Sequence, residues 1–209
     1  MSKMLLAGII IVIVAIAAVA GAYVLLSNNT GTSDQNDNDS NSNTSDQTND
    51  TSTFDLSNGD YMEFKTTTES NMTWINVTMK WLVFNVTSSG YDVTIDYISD
   101  FFNNTITQHA NLTDAVGSGA VDDNYTKGTL VGSETLSTPF GAKQVEHWRL
   151  TTEEGTTTTV ADYYVGKDTK MVYKVVVTSA DSSDSGNSMT TTTVLTNTNI
   201  DRIKNGDKA

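Results

Sequence analysis

From Phe54 onward the apolar residues return at every second position, and that period constrains the backbone more tightly than any other feature of the chain. GYDVTIDYI, residues 90–98, sets Tyr91, Val93, Ile95 and Tyr97 on one face and Asp92, Thr94 and Asp96 on the other. Side chains alternate across a strand, so this segment reads as a half-buried β-strand. WINVTMKWLVFNVT, residues 74–87, repeats the pattern with Ile75, Val77, Met79, Trp81 and Val83. Ser88-Ser89-Gly90 is a turn signal between the two and predicts a hairpin. Residues 60–68 form a weaker strand. Further strands are predicted over residues 129–137, 142–151, 156–165, 171–178 and 188–196, parted by polar and glycine-bearing turns. The spacing leaves no room for crossover helices. The expected fold is therefore all-β, an antiparallel meander forming a curved half-barrel or a barrel. Residues 99–128 break the pattern, with Phe101, Phe102, Ile106, Leu112 and Val116 loosely spaced. A short helix, or a long loop over one mouth of the sheet, is expected there, and with it any ligand gate.

Two segments precede this domain. LLAGIIIVIVAIAAVAGAYVLL, residues 5–26, is 22 residues without a charge, enough to cross a bilayer of about 30 Å. Lys3 lies on one side and aspartate-rich sequence on the other, so the positive-inside rule places the N-terminus in the cytoplasm and residues 27–209 outside. The bilayer is the partner this segment implies. A cleaved signal peptide is the competing reading, with Ala18-Val19-Ala20 or Ala20-Gly21-Ala22 as the processing site. The apolar run continues to Leu26, longer than a signal core, and favours a retained signal-anchor. Residues 27–53 hold no large apolar side chain, so they cannot offset their own ordering entropy and read as a disordered tether. Three parts follow: anchor 1–26, linker 27–53, extracytoplasmic β-domain 54–209.

The chain carries a formal charge of −13, and residues 54–209 alone hold 20 acidic against 11 basic side chains. That balance opposes phosphate backbones and excludes nucleic acid as a partner. Cysteine is absent, which rules out disulfides and thiolate chemistry. The two histidines, His109 and His147, stand far apart without a second ligand at metal spacing, and no phosphate-cradling glycine motif or nucleophile elbow occurs. No cofactor, metal or catalytic activity is expected. TPFGAKQVEHW, residues 138–148, gathers the sole proline with a histidine, a glutamate and a tryptophan. Pro139 and Gly141 predict a tight turn between strands. Alternation then sends Val145 and His147 to one face and Glu146 and Trp148 to the other, so Glu146 and His147 do not form a site. Glycosylation sequons begin at Asn28, Asn38, Asn43, Asn49, Asn71, Asn76, Asn85, Asn103, Asn111 and Asn124, in keeping with an exported surface.

GSETLSTPFGAKQVEHW, a polar turn, then ADYYVGKDTKMVYKVVV resembles exported proteins of the lipoprotein-carrier-like superfamily. The shared elements are the T-P-x-G turn, Tyr163-Tyr164-Val165, the turn with Asp168 and Thr169, and a strand carrying Lys174. The resemblance covers residues 129–178 and implies a curved antiparallel sheet whose concave face holds lipid or acyl chains. It departs from that pattern in its membrane anchor and in lacking a clear helical lid. IVIVAIAAVAGAYVLLSN also resembles the N-terminal helix of archaellins and pilins, which implies a structural cell-surface protein or filament subunit instead. Their processing site wants basic residues before a small one, whereas Met4-Leu5-Leu6-Ala7 precedes Gly8 here. For the binding reading, the aromatic-rich strands nominate Trp81, Tyr91, Val93, Ile95, Tyr97, Tyr163 and Tyr173 as the lining of an apolar concavity. The plainer alternative makes each of them a core residue.

Overall fold

The computed structural model describes residues 56–70, 73–111, 123–183 and 188–209. The chain divides into two units, Met1–Ser52 and Thr53–Ala209, and every described residue belongs to the second. The expected membrane span and tether lie outside the described residues. Among the described residues no helix is long and apolar enough to cross a membrane.

Nine strands make one sheet: β1 Tyr61–Ser70, β2 Thr73–Phe84, β3 Gly90–Ser99, β4 Asn103–Asn111, β5 Thr129–Thr138, β6 Gly141–Glu154, β7 Thr157–Gly166, β8 Val172–Asp181 and β9 Ser188–Thr198. All described pairings are antiparallel, in the order β4-β3-β2-β1-β9-β8-β7-β6-β5. Two meanders thus meet at the centre, where β1 pairs with β9. The expectation of an all-β antiparallel sheet holds. The barrel does not: β4 and β5 are the two edges, and among the described residues no strand pairs one with the other. The meander holds within each half, and the chain passes from β4 at one edge to β5 at the other between them.

Residues 99–128 are likewise corrected. Asn103–Asn111 is a strand, neither helix nor loop, and Asp123–Lys127 is a short 3-10 helix. Residues 112–122 lie outside the described residues.

Register builds one interior face across the whole sheet. Met62, Trp81, Ile95 and Ile106 form one rung through β1 to β4, and Phe64, Met79 and Tyr97 form the next. At the centre the interior positions become threonines. Thr66 meets Thr193 at 2.9 Å and Thr68 meets Thr191 at 3.1 Å, both pairs buried. Each hydroxyl finds its partner across the strand boundary, which is what a buried hydroxyl needs. Beyond this seam the face turns apolar again with Val175 and Tyr163.

The turn at Pro139 forms as its residues predict. Thr138 pairs with Gly141, leaving Pro139 and Phe140 as the loop, and Gly141 takes φ +96°. Thr138 Oγ1 accepts the Phe140 N–H at 3.1 Å and donates to the Gly141 carbonyl at 2.7 Å. After β9 the chain forms a five-residue helix, α1 Asp201–Asn205, and residues 207–209 run beside the start of β6. Ile200 and Ile203 are buried, and Asp207 ties the segment to the β7–β8 turn.

Candidate binding face

The seven nominated residues are all buried, and the structure divides them into two groups. Trp81, Tyr91, Val93, Ile95 and Tyr97 form one continuous patch on β2 and β3, because Trp81 pairs with Ile95, Val83 with Val93 and Met79 with Tyr97. Tyr163 and Tyr173 lie on β7 and β8, beyond the threonine seam of β1 and β9. Tyr163 packs near Tyr125, whose ring also meets Trp148 edge-on at 5.8 Å. Tyr173 has a structural task. Its hydroxyl donates to the Ile203 carbonyl at 3.1 Å and the Asp207 carboxylate at 3.0 Å, and burial pushes its phenol far above the usual range.

The β2–β3 patch differs from the rest of the interior in one respect. Trp81 is 5 % exposed, and its Nε1–H meets no acceptor among the described residues. Its diagonal neighbour Tyr97 is also buried, and desolvation raises its phenol above the ordinary value. Tyr97 lines a shallow groove of about 360 Å³ with Asp96, Ile98, Asn103, Asn104 and Thr105. Phe101, 74 % exposed, and Phe102 stand in the turn at the same end of β3 and β4.

The opposite face carries a polar cluster that the sequence reading passed over. His147 and Tyr164 are register partners, and their rings stack at 4.8 Å. His147 Nε2 lies 2.7 Å from Asp162 Oδ1, and Arg149 grips the same carboxylate through Nε at 2.7 Å and NH2 at 3.1 Å. Burial alone would raise the Asp162 carboxyl, but the hydrogen bonds from Arg149 and His147 outweigh it and hold it below the usual value. Lys174 Nζ sits 5.1 Å from the Tyr164 ring centroid. Glu146 points away, as alternation requires, and contacts Trp148 and Lys170. Asp162 was legible in principle, since ADYYV places it on the side of Tyr164. Its partnership with residue 149 needed the register.

Among the ten sequons, Asn28, Asn38, Asn43, Asn49 and Asn71 lie outside the described residues. Asn76 accepts from Thr67 and Asn85 donates to Asp92, while Asn103 is exposed at the start of β4. Asn111 ends β4 and Asn124 lies in the 3-10 helix.

No family model matches the sequence, and a search of curated proteins finds no significant relative. Solved structures similar to the chain include two bacterial proteins. One is an exported protein with a YmcC-like fold from Bacteroides fragilis, 9 % identical, aligned over 68 % of this chain and 96 % of its own, with a TM-score of 0.35. The other is a LolA superfamily protein from Nitrosomonas europaea, 10 % identical, aligned over 75 % of this chain and 94 % of its own, with a TM-score of 0.25. Neither likeness is close enough to assign a ligand.

Proposed function

We propose that residues 54–209 are an extracytoplasmic binding module, held at the membrane by residues 5–26, that takes an apolar ligand such as a lipid on the interior face of β2 and β3. The unbroken apolar patch of Trp81, Tyr91, Val93, Ile95 and Tyr97, one strand in from the β4 edge, carries this reading. The groove at Tyr97, flanked by Phe101 and Phe102, is the entrance. The reading invokes no catalytic step. Native mass spectrometry of the full chain extracted from its own cells tests it. An apolar species of defined mass should accompany the protein. A ligand-free chain that also fails to take up a fluorescent apolar probe would end the proposal.

A second reading, a structural cell-surface protein or filament subunit, draws on the two open edges. β5 leaves Leu130 and Val131 exposed on a ten-residue edge strand paired on one side with β6. That reading expects the chain in sheared surface filaments, processed near Gly8. Recovery of a detergent-extracted monomer with intact Met1 or Ser2 counts against the filament form.

A further inference from the structure

We infer that Asn76 and Asn103 are glycosylated, and that the first sugar on each lies against an exposed aromatic ring two residues earlier, Trp74 and Phe101. This goes beyond the binding module and rests on one part of that reading, the placement of residues 54–209 outside the cytoplasm.

The position of the exposed rings carries the inference. The two most exposed large apolar side chains among the described residues are Phe101 at 74 % and Trp74 at 65 %. Each precedes a sequon asparagine by two positions, in Trp74-Ile75-Asn76-Val77-Thr78 and Phe101-Phe102-Asn103-Asn104-Thr105. Along β2 that spacing returns to the same face, so Trp74 and Asn76 stand side by side. The Trp74 indole N–H donates to Glu69 at 3.2 Å, which holds the ring in place. Phe101 sits in the turn closed by the Ser99 N–H donating to the Phe102 carbonyl at 3.0 Å, and β4 starts at Asn103 directly after it. Across the rung from Asn103 is Ile98, itself exposed, and beyond Ile98 is Thr78, the hydroxyl residue of the Asn76 sequon. The two sequons therefore share one face at one end of the sheet, around apolar surface that the described chain leaves bare. It is the face opposite the β2–β3 binding patch, since Tyr97 pairs with Asn104 and not with Asn103.

The sequon asparagines differ in what their amides are free to do. N-glycosylation joins the amide Nδ2 to the anomeric carbon of a sugar supplied on a lipid phosphate. The C–N bond forms as the C–O bond to the phosphate breaks. The phosphate oxygen leaves with the bonding pair and takes up one amide proton. Asn76 uses Oδ1, which accepts from Thr67 Oγ1 at 2.9 Å, and its Nδ2 has no partner among the described residues. The β2–β3 pairing reaches only to Val77, so Asn76 has a paired strand on the β1 side alone. Asn103 is exposed on the edge strand. Asn85 is the contrast. Its Nδ2 donates to Asp92 at 2.9 Å, and the residue two before it, Val83, is buried. A pyranose presents C–H groups on one face, and the electron-rich face of an aromatic ring attracts them. Sugars there give Trp74 and Phe101 the cover that large exposed apolar groups call for.

Glycopeptide mass spectrometry of the full chain from its own cells tests the assignment, with electron-transfer fragmentation to keep each glycan on its side chain. Asn76 and Asn103 should carry glycans and Asn85 should be bare. A bare Asn76 or Asn103, or an Asn85 occupied as fully as they are, overturns it. Protease shaving of intact cells separates this from the reading beneath it. A chain that is shaved yet bare leaves the outside placement standing, whereas a chain protected from protease overturns that placement and this inference together. Stacking has its own readout. Asn103→Gln, and likewise Asn76→Gln, should lower the Tm of the glycosylated chain by about 2–4 °C. The loss should vanish when Phe101→Ser or Trp74→Ser has already removed the ring, and in bare chain from a host without glycan transfer. No loss, or a loss of equal size with and without the ring, overturns the stacking. Phe101 and Trp74 are both exposed, so their substitutions leave the core intact.

Discussion

Lys143 is the residue on which the C-terminal segment hangs. Its side chain is 0 % exposed, and Nζ donates to the carbonyls of Ile203, Lys204 and Gly206 at 3.1, 2.7 and 2.5 Å. Those are the free carbonyls at the end of α1, which a cation satisfies well. Burial lowers the Lys143 ammonium below its ordinary value, and the nearby Asp207 carboxylate opposes that shift. Replacing Lys143 with Met strands the carbonyls and removes the positive charge near the buried Asp207. We expect a loss of about 3–5 kcal/mol, read from chemical denaturation. Nothing in AKQVEHW announced this, because burial of Lys143 comes from residues sixty positions later. The same holds for His147, whose facing away from Glu146 was legible while its bond to Asp162 was not. That bond gives a pH prediction. The Asp162 carboxyl is depressed in the folded chain, so as pH falls the unfolded chain takes up its proton first. The stability contributed by Asp162 is thus fully present above the usual 3.8 and is lost as pH falls through the lowered folded value. Asp162→Asn should cost about 1 kcal/mol near neutral pH, with Arg149 half in solvent, and the gap should close towards pH 3. A gap that stays constant over that range would mean the carboxylate's charge contributes nothing.

Elements were legible wherever one face alternates strongly. β2 from Ile75 to Val83 and β3 from Tyr91 to Tyr97 carry apolar residues at each interior position, and their hairpin lies where the sequence puts it. β4 was missed because NNTITQHAN offers only Ile106 and Ala110 as apolar interior residues. An edge strand half in solvent needs few apolar positions, so its period is faint. α1 was missed for a different reason: five residues cannot sustain a helix alone, and its carbonyls depend on Lys143. The binding patch was read from the same alternation, but sequence could not separate Tyr163 and Tyr173 from it, since two meanders joined at β1 and β9 place them beyond the threonine seam. Glycines test these elements independently. A Cβ at Gly166 would collide with the Asp207 carboxylate and Thr169 Oγ1, whereas one at Gly132, on β5, meets nothing within 4 Å. Gly166→Ala should destabilise by about 2–3 kcal/mol by prising the C-terminal segment from the β7–β8 turn. Gly132→Ala should be neutral or gain a few tenths of a kcal/mol from reduced unfolded-state entropy. Paired thermal unfolding curves measure both.

At the scale of the molecule, the open order of the sheet is the property that sequence could not supply. Period two fixes which way each side chain faces and is the same in a closed barrel and an open sheet. Closure depends on whether β4 and β5 pair, and they stand eight strand steps apart. The order also puts the first and last strands of the domain side by side at its centre. Amide exchange reads that arrangement directly, because an amide exchanges through the cheapest opening that frees it. β4 and β5 are each held along one side only and can peel away without disturbing the rest. β1 and β9 are flanked on both sides and joined by buried Thr66–Thr193 and Thr68–Thr191 bonds, so freeing them requires the sheet to part. Peptides from Asn103–Asn111 and Thr129–Thr138 should exchange first, those from Tyr61–Ser70 and Ser188–Thr198 last, by one to several orders of magnitude. Protection at β4 and β5 equal to that of the central strands would mean that their edges pair in solution, with each other or with a second chain. Dilution separates those two cases, since only pairing between chains weakens with concentration.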